Sequence, residues 1–227
     1  MERKAAPVKQ RRSYDSPRRQ EQARQTRQAI LDVARRLFLD VGFTSTTIAA
    51  IASEVGVSVD TIYKAFGGKP GLVRAICEQG LAGEGPVHAE IRSDALQTTE
   101  PDPRVIMRGI GKLAAEVAPR VAPIMLLVRD AALTDPDMAA LKSDFDDQRL
   151  ERMIHNARNL SDAGHLREGL SVEEAGEIMW TYSSEELYEL LVIKRGWSAE
   201  RFGGFIAAAL TAALLPLPTN DGARRFA

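Results

Sequence analysis

Between Gly42 and Leu72 the chain reads GFTSTTIAAIASEVGVSVDTIYKAFGGKPGL, and its apolar residues recur at a period that short helices satisfy. Ile48, Ile51, Ala52 and Val55 fall at i, i+3, i+4 and i+7, one buried stripe on a helix that starts after Thr46 or Thr47. Gly56 then turns the chain, because glycine tolerates the left-handed backbone such a turn often needs. Val57 drops back into the core, Ser58 is placed to cap a second helix, and Ile62 and Phe66 carry that helix inward. The pattern is a helix-turn-helix.

The outward positions of the second helix are Val59, Asp60, Thr61, Tyr63 and Lys64. Hydroxyls, one cation, one anion and one apolar group suit a DNA major groove: the hydroxyls and Lys64 meet base edges or phosphates, and Val59 a thymine methyl. Other uses stay open. Tyr63 can pack its ring over the domain core, and Asp60 is as favourable in the first turn of a helix as on a cytosine amino group.

Upstream, Ile30, Val33, Ala34, Leu37, Phe38 and Val41 repeat at helical spacing and predict a first helix from about Glu21 to Val41. Downstream, Lys69 precedes Pro70, a favoured first helical residue, so a fourth helix begins there, with its amide donors and the lysine ammonium both able to bind a phosphate.

The spacing ILxxAxxLFxxxGFxxTTIxxIAxxxGVSxxTIYxxFxxKxxL, from Ile30 to Leu72, resembles the N-terminal domain of the TetR family of one-component bacterial regulators. The resemblance implies phosphate contacts from Thr46 or Thr47, Tyr63 and Lys69, and base reading around Ser58, Val59, Asp60, Thr61 and Lys64. Many members carry a basic or glycine pair where Val59 and Asp60 stand here. Segments such as Arg195–Ser198 after EELYELLV look like a branch of the family common in actinobacteria.

Charge follows the same division. The chain of 227 residues is nearly neutral at −1, yet residues 1–70 hold 13 lysines and arginines against 7 acids, and the remaining 157 residues hold 17 against 24. The basic third is where a polyanion binds. Seven of those cations lie in residues 1–20, so this segment is expected to be a disordered arm that either follows DNA through Arg12, Arg18 and Arg19 or only solubilises the chain. Neither a secretory apolar region nor a run of eighteen apolar residues follows, which makes a cytoplasmic protein with no membrane partner the expectation.

After Gln79 the sequence loosens into a connection rich in glycine, acid and proline, with room for a short helical piece. Beyond it helices are predicted at about 103–118, 120–133, 136–162, 171–194 and 198–215. Pro119 and Pro123 permit a break or kink between the first two, Pro136 starts the third, Ser171 and Glu174 form a capping box, and Ser198 caps the last. The expected fold is all-α. A helix-turn-helix domain (21–68) joins through the fourth helix to a helical ligand-binding and dimerisation domain (69–217), with a tail at 218–227.

The family resemblance further implies a homodimer through about 171–194 and 198–215, a palindromic double-stranded DNA operator, and a small-molecule effector held among the central helices. Met107, Ile110, Met125, Leu126, Arg129, Phe145, Arg149, Met153, Trp180 and Tyr182 are its candidate lining. Methionines and aromatics at such spacing are also ordinary core. Arg129 and Arg149 either meet an anionic ligand or pair with Asp130, Asp146 or Asp147. Cys77 sits among Leu72, Val73 and Ile76 as a small core residue.

Nothing in the chain spells an enzyme. His88, His155 and His165 are scattered, and CxxC, HExxH, GxSxG and phosphate-loop patterns are absent, so no cofactor or metal is expected. Asp162, His165 and Glu168 read as a solvated loop. The sequence therefore reads as a ligand-responsive repressor, with an activator of the same fold or a helical small-molecule carrier as the alternatives.

Overall fold

The computed structural model describes residues 17–83 and 87–217, and among them every regular element is helical. In chain order these are α1 (Pro17–Val41), α2 (Ile48–Val55), α3 (Val59–Phe66), α4 (Lys69–Ala82), α5 (Ala89–Thr99), α6 (Pro103–Ala132), α7 (Pro136–Asp162), α8 (Val172–Tyr182), α9 (Glu185–Tyr188) and α10 (Ala199–Leu214). A π-helical turn, Glu189–Lys194, continues α9.

The caps are where the residue types place them. Thr47, Ser58 and Ser198 accept the amide N–H three residues on, and Ser171 with Glu174 closes a reciprocal capping box. Asp102 and Asp135 cap α6 and α7 just before a proline at each helix start.

Three expectations change. Helix α1 starts at Pro17, four residues before Glu21, so the end of the expected arm is helical; residues 1–16 and the tail 218–227 lie outside the described residues. The piece foreseen in the connection is α5.

The two helices expected at 103–118 and 120–133 are one. Pro119 and Pro123 each remove a ladder hydrogen bond, a loss of about 3 kcal/mol in an isolated helix. The burial of Ile106, Met107, Ala122, Ile124, Met125 and Val128 on the same helix holds it continuous.

The single helix expected at 171–194 is three segments. Ser183 ends α8 and Ser184 caps α9, accepting from the Leu187 amide at 3.3 Å. The last six residues then widen into π geometry, closed by Trp197 N–H on the Leu191 carbonyl at 3.1 Å.

Two apolar clusters make the core. The first joins Ile30, Phe38, Ile51 and Ile62 of the helix-turn-helix to Leu72 and Ile76 of α4, then to Met125 and Val128 of α6 and Met138 and Leu141 of α7. Each large side chain so buried stabilises by about 1.5–3 kcal/mol. The second cluster packs α6, α7, α8 and α10 around Ile106, Met107, Leu160, Met179, Phe202 and Leu210.

Helices α6 and α10 cross almost backbone to backbone. A Cβ on Gly111 would lie 2.3 Å from the Gly203 carbonyl oxygen, and a Cβ on Gly203 would lie 2.3 Å from that of Gly111. The slim face of the last helix is therefore used, in part, inside one chain. Gly111→Ala and Gly203→Ala are each expected to lower stability by about 1–3 kcal/mol, as overpacked sites do. A thermal unfolding midpoint unchanged by both would refute this close packing.

Candidate nucleic-acid interface and central cavity

The helix-turn-helix is set by two left-handed glycines. Gly56 (φ 77°) lets its own N–H and that of Val57 both return to the Ala52 carbonyl at 3.0 Å, and Gly67 (φ 74°) ends α3 on the Tyr63 carbonyl at 2.8 Å. Between them, Ile62 is wholly buried, and Phe66 lies beneath Arg27, whose guanidinium sits 4.4 Å from the ring centroid.

With that face consumed, α3 turns Val59, Asp60, Thr61, Tyr63 and Lys64 to solvent. Tyr63 is 52% exposed and Val59 40%, unusual for such apolar bodies. The ring of Tyr63 therefore does not pack into the core. Asp60 and Lys64 bridge each other at 2.7 Å along the helix, and the Ser58 and Thr61 hydroxyls share a hydrogen bond of 2.8 Å. An exposed i, i+4 pair contributes only about 0.3–0.5 kcal/mol, so both ions are easily released to another partner.

Two residues expected to face a phosphate point inward instead. Thr46 is 3% exposed, and its hydroxyl bonds the Leu37 and Gly42 carbonyls at 3.1 and 2.8 Å; of the two threonines, Thr47 is the exposed one. Lys69 donates to the Phe43 and Thr46 carbonyls at 2.7 and 3.0 Å, with its ammonium 4.2 Å from the Phe43 ring centroid. Burial pulls its pKa below the usual lysine value. The loop between α1 and α2 has no ladder of its own, so its carbonyls need donors, and Lys69 and Thr46 supply or receive them.

A cavity of about 320 Å³ lies among helices α4 to α10. Of the ten candidate lining residues, Ile110, Met125, Phe145, Arg149, Met153 and Tyr182 reach it. Four do not. Met107 is fully buried in the second apolar cluster, Leu126 lies elsewhere on α6, Arg129 pairs with Glu189 at 2.8 Å and Asp130 at 3.0 Å, and Trp180 spends its indole N–H on the Asp146 carbonyl at 3.3 Å.

The sequence reading missed one wall. Arg74, Cys77, Glu78 and Leu81 bring α4 to the cavity at i, i+3, i+4 and i+7, a spacing that was available to find them. Leu113, Val117 and Val121 continue the stripe of α6 from Ile110 to Met125. Cys77 is buried 3.8 Å from the Met125 sulfur, and burial pushes its thiol up to about 12, an inert core residue.

Residues 30–76 match the family described as bacterial regulatory proteins, tetR family. The chain is 27% identical over 157 residues, 69% of its length and 78% of the relative, to the uncharacterized HTH-type transcriptional regulator YvkB of Bacillus subtilis. It is 38% identical over 73 residues to the HTH-type transcriptional regulator AcrR of Shigella flexneri, covering 32% of this chain and 34% of that one. The fold matches a structure described as a SmeT–triclosan complex at a TM-score of 0.65 and 21% identity, over 86% of this chain and 99% of that one. A helix-turn-helix that faces its polar helix outward, on an all-α body, is the build of a DNA-binding transcriptional regulator. Residues 30–76 thus carry the DNA-binding segment described for the TetR family, and the chain as a whole is similar to regulators of that kind.

Lys69→Met keeps the stem over Phe43 but strips two carbonyls of their donor, and is expected to lower stability by about 1–3 kcal/mol. Lys64→Ala, which loses only an exposed pair, is expected to change it by less than about 0.5 kcal/mol. Urea unfolding of the two variants separates the pinned lysine from the free one; equal effects would refute the distinction.

Proposed function

We propose that the protein is a ligand-responsive repressor that binds a palindromic operator in the cytoplasm as a homodimer. The observation that carries the reading is the shared wall: α4 lines the cavity with Arg74 and Cys77 and, on its other side, packs Leu72 and Ile76 into the helix-turn-helix core. A ligand that alters where α4 sits also alters where α3 points. Thermodynamics then requires only that it bind the arrangement unfit for DNA more tightly. A relative of this fold is described with a small molecule, triclosan.

On DNA, Val59, Asp60, Thr61 and Lys64 read base edges, while Tyr63, Thr47 and the uncapped first turn of α4 hold phosphates. Thr46 and Lys69 support the loop behind them. One such module buries little surface, so two recognition helices about 34–36 Å apart on one face of B-DNA are needed. The partner docks on the segment 185–194 and α10, where Leu190 and Ile193 are about half exposed and Gly204, Ala208 and Ala212 leave an open slim face. Among the described residues no helix is long and apolar enough to cross a membrane.

Selection from a random duplex pool by the purified protein is expected to return a palindromic consensus. Tyr63→Phe is expected to weaken binding to every sequence and lower the salt slope by about one phosphate contact, whereas Thr61→Ala and Lys64→Ala shift the preferred bases. If no sequence is enriched by a folded dimer at moderate salt, the carrier reading replaces this one.

A further inference from the structure

The central cavity carries charge in its wall, and the buried part of that charge is paired within the wall. Arg74 reaches Asp144 at 3.0 Å, Arg152 holds Asp94 at 2.6 Å, and Arg149 donates to the Trp180 carbonyl at 2.7 Å and faces Asp146 at 3.4 Å. Lys142 Nζ lies 3.1 Å from Glu185 Oε1 and 2.5 Å from Asp146. Glu78 and Glu90, the lining carboxylates outside any ion pair among the described residues, are exposed to water. An ion entering the cavity would leave water with no buried counter-charge to meet, a cost that a neutral molecule does not carry.

What the wall offers instead is neutral donors. Ser93 of α5 and Asn156 of α7 line the cavity at 6% and 4% exposure. The Gln97 amide nitrogen joins them, donating to Ser93 Oγ at 3.1 Å and to Asn156 Oδ1 at 3.0 Å, and Arg152 donates to the same Oδ1 at 2.9 Å. With both oxygens used as acceptors, the donors are left over. Asn156 Nδ2 has two N–H groups and one contact, the Met153 sulfur at 4.0 Å, a weak acceptor on the same wall. The Ser93 O–H meets no acceptor among the described residues, and Gln97 Oε1 beside it is itself left without a donor. Buried polar groups are seldom left so. Much of the remaining lining is hydrocarbon from Ile110, Leu113, Val117, Val121 and Met125.

We infer that the cavity takes an uncharged ligand with an apolar body laid along α6 and a carbonyl-type oxygen that accepts from Asn156 Nδ2 and the Ser93 hydroxyl. Such an oxygen has two lone pairs, one for each donor. This deepens the effector reading above and rests on it.

Calorimetric titration of the full chain near pH 7 tests it with butyrophenone, with butylbenzene, which lacks the ketone oxygen, and with cationic 4-phenylbutylamine and anionic 4-phenylbutanoate. Ser93→Ala removes one donor, and Asn156→Asp removes the other while keeping the Oδ1 that Gln97 and Arg152 use. Each is expected to weaken butyrophenone about threefold to tenfold, the scale of one hydrogen bond, and to leave butylbenzene unchanged, which also reports an intact cavity. Both charged probes are expected to bind the unaltered chain at least about tenfold more weakly than the ketone. Equal losses for ketone and hydrocarbon, a ketone affinity that survives either substitution, a charged probe as tight as the ketone, or no binding of any probe overturns the inference. The same probes added to a complex with a selected duplex separate it from the effector reading. Release by butylbenzene or a charged probe, independent of Ser93 and Asn156, removes the carbonyl site and keeps the effector cavity. Ketone binding that needs both residues but leaves DNA affinity unchanged keeps the carbonyl site and removes the effector role.

Discussion

Helix α4 has almost no side to spare, and the molecule is arranged around that. Leu72, Val73 and Ile76 close the core of the helix-turn-helix, Cys77 meets Met125 of α6, and Gly80 crosses α6 so closely that a Cβ there would lie 2.7 Å from Val121. One apolar cluster thus runs unbroken from Ile30 to Leu141. Packed interiors of this density shift between discrete arrangements and do not compress, so under the proposed effector reading α4 is the element that would carry a change of volume behind Cys77 to the helix-turn-helix. The domain border that charge and motif draw at Lys69 is real in sequence and absent in packing.

At the far end of the same helix, Lys69 shows how one residue type divides between support and recognition. Its first-turn position is shared with many phosphate-binding lysines, but here the loop from Gly42 to Thr46 presents two carbonyls with no other donor, and they take the ammonium. Thr46 is drawn in by the same need. The exposed polar set that remains, Thr47, Thr61, Tyr63 and Lys64, is bound only by local hydrogen bonds and an i, i+4 ion pair, all of which water or a nucleic acid can replace.

That division marks the limit of what the sequence makes legible. Periodicity and caps place α2, α3, α7 and α10 within a residue or two, because Ile51, Ile62, Asp135 and Ser198 act through neighbours three or four positions away. Pro119 and Pro123 mislead, since a local rule says break and the burial of Ala122, Ile124 and Met125 from other helices says continue. The break at Ser183 was written locally: Ser184 followed by two glutamates and Leu187 has the grammar of Ser171, but the apolar run on both sides masks it. In the cavity, period alone names Ile110 and Met125. It cannot tell the face of Met107 from that of Ile110, because α6 is buried on both, nor foresee that Arg129 is taken by Glu189 across the chain.

The last helix carries the remaining argument. Small residues ring α10, and a sequence reading assigns their narrowness to a second subunit; yet Gly203 and Gly111 spend one slim face on α6 within the chain, where the two backbones nearly touch. Gly204, Ala208 and Ala212 are exposed on another side of the helix, and a Cβ on Gly204 would find no atom within 4 Å. Leu190 and Ile193 are also half exposed, held on a π-turn that a regular helix from Glu185 would have rotated to other positions. An α-helix advances 100° per residue, so a widened turn changes which side chains share a face. The serine break before α9 and the widened turn after it thus act together on the proposed dimer face. Helix α10 is tied through Gly203 to α6, and α6 lines the cavity, so the proposed subunit contact and the cavity wall meet on packed neighbours.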